Sequence, residues 1–205
     1  MVRIEIINVS KKYESNVLFK NLNMQLLSGT QYCIIGSNAS GKSVLLKMLS
    51  GIIIPDSGVI TITSSKQNPS IGALIESPNF IQHLSGFSNL QLLANFRRRI
   101  KKSAIINTMI NIGLDPYSKI PYSKYSLGMK QKLGIAQAIM ESPDILLLDE
   151  PINSLDSQGA NTILNLINDY SKNNLVVTTA HQCDKDYSGI ICKIHNHIIE
   201  LEDAK

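Results

Sequence analysis

Apolar positions recur along this chain with two periods. Runs that alternate in steps of two, or that stay apolar over strand length, fall at 2–9, 32–35, 59–63, 71–75, 145–148, 175–179, 190–194 and 197–201, and they predict strands. Helical spacing predicts helices after Gly41, over 88–100 and 103–112, after Ser126, and over 157–170. Residues 77–142 read as almost wholly helical, and strand–helix alternation flanks them on both sides. The pattern predicts a single α/β domain over 1–205, with a core of 1–76 and 143–205 and a helical subdomain, 77–142, inserted into it. "IPDSG" at 54–58 and "LDPYSKIPYSKY" at 114–125 are the turn-rich joints.

One predicted strand ends awkwardly. "IGALIESPNF" (71–80) carries a buried-type apolar run straight into a carboxylate, Glu76, with Pro78 close behind. An unpaired buried carboxylate is costly, so an acid at this place needs a partner or a task.

Composition narrows the classes. The chain has 205 residues, 43% of them hydrophobic, enough for one substantial core. The longest apolar stretches, around "GIIIP" and "DILLLD", fall far short of the roughly 18 residues a spanning helix needs. The start, "MVRIEIINVSKKY", alternates like a strand and has no apolar signal-peptide core, so a cytosolic protein is expected, with any membrane role supplied by a partner. Cys33, Cys183 and Cys192 show no ligand spacing and read as reduced structural thiols. The net charge of +4 is mild, and the basic run "RRRIKK" (97–102) reads as a solvated helix face or a contact to anionic lipid or a partner. Nucleic-acid binding calls for a larger patch or interleaved aromatics, and none is expected here.

The most specific stretch is "YCIIGSNASGKSVLLKML". Gly36, Gly41, Lys42 and Ser43 fit G-x-x-x-x-G-K-[ST] between a buried-type strand and an amphipathic helix. In such a loop (Gly36, Ser37, Asn38, Ala39, Ser40, Gly41) the backbone N–H groups wrap a polyphosphate, and the helix N-terminus adds partial positive charge. Lys42 is suited to the β- and γ-phosphates and the Ser43 hydroxyl to Mg²⁺, which marks a nucleoside triphosphate site. In "SPDILLLDEP" (142–151), Asp149 and Glu150 emerge at the C-terminal end of a buried strand, where α/β folds place ligands. Asp149 is suited to hold Mg²⁺ through water, and Glu150 to polarise an attacking water.

Ahead of that strand lies "KYSLGMKQKLGIAQAIM" (124–140), a serine and a glycine opening a helix whose apolar face is Leu133, Ala136, Ile139 and Met140. With these three motifs in order, the sequence resembles the ATP-binding cassette (ABC) ATPases over essentially its whole length. "YSLGMKQ" stands where those proteins carry LSGGQ, and departs from it at Tyr125, Leu127 and Met129 while keeping Ser126 and Gly128. That variant resembles the bacitracin-resistance and bacteriocin-immunity exporter subgroup. "LSGI" at 49–52 and "HLSGFSNL" at 83–90 also contain LSG, but at the wrong distance from the Asp149 strand.

The resemblance implies an α/β P-loop NTPase fold: a RecA-like core, an N-terminal antiparallel β region and an inserted helical subdomain. It implies that Tyr13 stacks on adenine, that "NSLD" (153–156), ending in Asp156, lines a dimer contact, and that His181 in "VVTTAHQ", about 30 residues past Glu150, contacts the γ-phosphate. His83, His195 and His197 read as ordinary surface histidines. Glu76 stands where most of the family has a glutamine that touches Mg²⁺ or its water and meets the membrane partner. A carboxylate about 4 Å from a phosphate charge is opposed by about 4 kcal/mol at an effective dielectric of 20, which leaves a Mg²⁺-mediated or partner-facing role for Glu76.

By the same resemblance, ATP and Mg²⁺ are sandwiched between two copies, the loop of one facing Ser126 and Gly128 of the other. The helical subdomain then docks on a separate transmembrane permease, which places the chain on the inner face of the cell membrane. Two rival readings differ in class. A soluble ABC-type ATPase acting on nucleic acid or ribosomes usually carries two cassettes or a long coiled coil, and neither is legible here. A nucleotide-binding regulator without hydrolysis has no need of Glu150.

Overall fold

Four consecutive side chains, Ile145 to Leu148, explain the layering. All four are fully buried, yet they divide between two cores. Ile145 and Leu147 join Leu175 and Val177 on one side; Leu146 and Leu148 join Val176, Ile163 and Ile167 on the other. Only a strand covered on both faces sorts its residues this way.

The computed structural model describes residues 1–97, 100–182 and 187–203. Cys183 and part of the basic run at 97–102 (Arg98 and Arg99) lie outside the described residues. Among the described residues two sheets form. The central one orders its strands β5 (Ile71–Leu74), β6 (Ile145–Leu148), β7 (Leu175–Ala180), β3 (Gln31–Ile35), β8 (Ile190–His195) and β9 (Ile198–Asp203). Neighbours pair in parallel except β8 and β9, a hairpin whose turn residues Asn196 and His197 both take positive φ (47° and 70°). That handedness suits the twist of the flanking strands. The second sheet is antiparallel, ordered β2 (Asn16–Leu27), β1 (Val2–Tyr13) and β4 (Ser57–Ser64).

Strand β2 is not among the predicted strands. Leu22, Met24 and Leu26 alternate and are buried, but the pairing of β1 with β2 slips between Ile6 and Val9, again between Val9 and Lys11, and again between Lys11 and Lys12. Asn8 and Asn21 sit at positive φ around those slips. On β2 the extra residues fall between Val17 and Leu22, so bulges break the period-two reading there and leave only a short alternating stretch from Leu22 on.

The helices are α1 (Lys42–Leu49), α2 (Gly86–Arg97), α3 (Lys102–Asn111), α4 (Leu127–Ile139) and α5 (Ser157–Ser171). Helix α1 packs in the first core between the two sheets, while α2 to α5 build the second core on the opposite face. Helix α4 lies tightly against β5. A Cβ added at Gly72 would fall 2.0 Å from the Ala138 carbonyl oxygen, and one at Gly134 would fall 2.8 Å from Leu74 Cδ1. This close seam joins the strand leading to Glu76 to the helix that begins at Leu127. Among the described residues no helix is long and apolar enough to cross a membrane.

Candidate functional site

Parallel strands end at one edge of their sheet, and here β3, β5, β6 and β7 lead respectively into Gly36, Glu76, Asp149 and His181. The sheet therefore gathers at one edge residues that are far apart in sequence.

The loop after β3 is held by its own atoms. Lys42, almost fully buried, donates from Nζ to the carbonyl oxygens of Gly36 (2.8 Å) and Ser37 (3.1 Å). Gly41 has φ 102°, and a Cβ there would come within 2.9 Å of the buried Phe19 ring, so both backbone and space require glycine. No side chain caps the N-terminus of α1, which leaves its N–H groups directed at whatever fills the loop.

The acids after β6 are held by neighbours. The Asp149 N–H donates to the Leu74 carbonyl (2.7 Å), tying β6 to β5. One Asp149 carboxylate oxygen accepts from the Thr179 hydroxyl of β7. Glu150 has φ 46°, a left-handed conformation that costs a non-glycine residue about 1–3 kcal/mol and gathers at functional sites. Its N–H donates to Thr179 Oγ1 (2.9 Å), and its carbonyl accepts from Gln131 Nε2 of α4 (3.2 Å). Its carboxylate lies between two side chains, with Oε1 3.2 Å from His181 Nε2 and Oε2 accepting from Asn153 Nδ2.

Two cavities open on these groups and share Glu150 and Asn153 as a wall. One, of about 490 Å³, is lined by Gly36, Ser37, Thr179 and His181; the other, of about 330 Å³, by Ser43, Glu76, Gln131 and Asp149. The second presents the hydroxyls of Ser43 and Ser77 and the carboxylates of Glu76, Asp149 and Glu150, hard oxygen donors of the kind Mg²⁺ takes together with phosphate. A larger cavity of about 860 Å³ beside Ile71, Leu93 and Phe96 holds none of these groups, so chemistry rather than size marks the site. Glu76 lines the Ser43 cavity with its carboxylate ion-paired to Lys47 of α1, and its side chain remains 74% exposed.

Other expected residues stand apart. Ser126 caps α4, its Oγ accepting from the Met129 N–H (3.2 Å), and a Cβ on Gly128 would approach the Ser154 carbonyl oxygen to 2.9 Å. Neither lines the two cavities. Tyr125 turns into the second core, where its hydroxyl accepts from the Gly86 N–H (3.1 Å), while Leu127 is exposed. Asp156 caps α5 by accepting from the Gly159 N–H (2.9 Å). Tyr13 is half exposed near the β1–β2 turn, with the Lys11 ammonium 5.3 Å from its ring centre. His83, His195 and His197 are exposed.

Sequence reasoning did not find the parts played by Thr179, Gln131, Asn153 and Lys47. All four lie inside quoted motifs, but nothing in a one-dimensional pattern says that the side chains of Thr179, Gln131 and Asn153 turn toward the acids. Lys47 falls on the same face of α1 as Ser43, one turn on, and that spacing was the available signal.

A family model described as ABC transporter matches residues 19–153. The chain is 36% identical over 189 residues to the ABC transporter ATP-binding protein YybJ of Bacillus subtilis, covering 88% of this chain and 87% of that one. It is 36% identical to the bacitracin transport ATP-binding protein BcrA of Enterococcus faecalis, covering 83% of this chain but 58% of BcrA. It is 33% identical to the lantibiotic transport ATP-binding protein SrtF of Streptococcus pyogenes, covering 85% and 77%. The fold is that of the bacterial ABC transporter cassette MJ0796, with a TM-score of 0.85 at 23% identity over 98% of this chain and 99% of that one. Together, the α/β architecture, the phosphate loop and these similarities show that the chain belongs to the ABC transporter family, as one of its ATP-binding ATPases.

Proposed function

We propose that this chain is the energy-supplying subunit of an exporter: two copies close on Mg²⁺–ATP, and its hydrolysis drives a separate transmembrane permease at the inner face of the cell membrane. The observation that carries the reading is the convergence of Lys42, Ser43, Asp149, Glu150 and His181 on one sheet edge, with Ser126 and Gly128 outside both cavities. A site with its phosphate loop and acids in one place and its second helix N-terminus elsewhere calls for a second copy. MJ0796 is a dimeric cassette, which agrees with that arrangement.

In this reading Tyr13 carries the adenine, residues 36–41 wrap the phosphates, and Lys42 meets the β- and γ-phosphates. Ser43 and Asp149, with Glu76, are the residues that would hold Mg²⁺; the ion would supply neutralisation of phosphate charge. Glu150 takes the proton of the attacking water as that oxygen bonds to the γ-phosphorus and the bridging P–O bond to ADP breaks. His181, 3.2 Å from the Glu150 carboxylate, faces the γ-phosphate, and Asp156 belongs to the dimer contact. The core, 1–76 and 143–205, carries this chemistry, and the helical subdomain, 77–142, meets the permease. The seam between α4 and β5 supplies a rigid link between them.

The cargo we assign is a peptide antibiotic, a bacteriocin or a similar amphipathic compound, on the similarity to BcrA and SrtF. The test is Glu150→Gln in the full chain. With ATP it is expected to elute as a stable dimer while the unsubstituted chain returns to monomer; a monomer with ATP bound overturns the two-copy reading. Cargo is tested by expressing the chain with a candidate permease in a sensitive host. Resistance to bacitracin or a lantibiotic that Glu150→Gln abolishes is the expected result, and sensitivity unchanged by the pair overturns the assignment.

A further inference from the structure

We propose that Thr179 is a positioning residue for ATP hydrolysis, its single hydroxyl joining the side chain of Asp149 to the main chain of Glu150. The inference rests on the roles given above to those two acids.

The direction of both hydrogen bonds follows from chemistry. A backbone N–H can only donate, so Thr179 Oγ1 accepts from Glu150 N at 2.9 Å. An ionised carboxylate can only accept, so the one proton of the hydroxyl goes to Asp149 Oδ1. One oxygen of Asp149 is thereby oriented by the protein. The Glu150 peptide, left-handed at φ 46°, is held by the same atom on its N–H side and by Gln131 on its carbonyl side. Thr179 is 1% exposed, so water does not substitute for these bonds in the folded chain. A buried hydroxyl that only satisfies the sheet would bond a main-chain carbonyl. Its neighbour Thr178 does that, donating across to the Tyr32 carbonyl of β3 at 3.3 Å, away from both acids. Thr179 instead places its two bonds on adjacent acids, Asp149 and Glu150, that line the Ser43 cavity together. It sets the spacing between the residue suited to the cation and the residue suited to the attacking water.

The test compares Thr179→Val, Thr179→Ser and Thr178→Val in the full chain, with two readouts: ATP turnover, and Mn²⁺ bound in the presence of ATP, followed by electron paramagnetic resonance. Loss of a group that orients a metal ligand typically weakens metal binding by about 10–100-fold, and Thr179→Val is expected to lose that much in both readouts while binding metal-free ATP unchanged. Thr179→Ser, which keeps the hydroxyl, restores both, and Thr178→Val leaves both as they are. Should Thr179→Val fail to fold, Thr179→Ala, which cannot overpack the site, takes the same readouts. Normal Mn²⁺ binding and turnover in the variant lacking the hydroxyl overturns the proposal. So does a serine variant as damaged as the valine one, or an equal loss in Thr178→Val, since either assigns the effect to packing. Glu150→Gln run in parallel separates the two levels: if it hydrolyses ATP normally, the assignment of Glu150 falls, and if it is inactive while Thr179→Val is normal, only Thr179 falls.

Discussion

The loop at 36–43 and the acid cluster at the end of β6 serve one site but are built in opposite ways. The loop is largely self-contained: Lys42 bonds Gly36 and Ser37 within it, and the main outside constraint is the Phe19 ring against Gly41. The cluster borrows nearly everything. Asp149 and Glu150 are held by Thr179 of β7 and His181 just after it, by Gln131 from α4 and by Asn153 across the following turn. A glycine-rich loop needs only local backbone geometry, whereas fixing two adjacent acids at a strand end needs groups from several elements. The loop belongs to a peptide segment; the cluster belongs to the β6–β7 pairing.

That contrast can be broken most sharply by pairing two substitutions. Lys42→Ala is expected to weaken nucleotide binding at least about tenfold, because it removes a charged hydrogen-bond donor. Glu150→Gln is expected to leave binding near normal and lower turnover by about 10²–10⁴, the usual worth of a general base. Equilibrium binding and steady-state hydrolysis measured together check this, and equal binding losses in both variants break the contrast.

Next in size is Gly41→Ala. The side chain meets Phe19 at 2.9 Å and a φ of 102°, so a stability loss of about 1–3 kcal/mol is expected in urea unfolding, together with loss of nucleotide binding. If the loop is as independent of the cluster as its bonds imply, a double variant with Asn153→Ala loses the sum of the two single effects.

A smaller effect concerns the far end of β6. Asp144 is buried, which alone raises its pKa, but the Lys66 ammonium and the Ser70 N–H and hydroxyl outweigh that and hold it below the ordinary 3.8. A carboxyl with a depressed folded pKa contributes stability that is full above its unfolded value and is lost as pH falls through the folded one. Thermal unfolding should therefore show an acid-side decline beginning near pH 3.8, shallower in Asp144→Asn. Smallest of all is Lys47→Ala. The Lys47–Glu76 pair is largely exposed on the Glu76 side, and surface pairs of this kind contribute under about 1 kcal/mol. A larger drop in urea unfolding would make Glu76 a structural anchor instead of a residue held near the cation cavity.

The awkward acid at the end of "IGALIESPNF" illustrates how far a linear reading goes. Its position at a strand end was legible, because β5 is a short apolar run that stops abruptly, while its place near the nucleotide site was implied only by the family resemblance. Its ion pair with Lys47 was not, since that depends on how α1 lies across the sheet. Strand β2 escaped for a related reason: its bulged pairing with β1 disrupts the alternation that a sequence can display. The three departures from LSGGQ likewise separate only in space, Tyr125 buried in the helical core, Met129 packed against it and Leu127 exposed.

Sequence alone determined what contiguous residues can do: the strand–loop–helix of the phosphate-loop motif, the apolar runs that form the central sheet, and the acids at the end of β6. Those features depend on backbone conformation and on burial patterns that repeat over a few residues. Tertiary structure alone decided which hydroxyl orients Asp149, which side chains flank Glu150, and that Ser126 stands apart from the loop. Such facts depend on which strand lies beside which, and a hydrogen bond reaches only about 3 Å while its partners here lie some 30 residues apart in the chain.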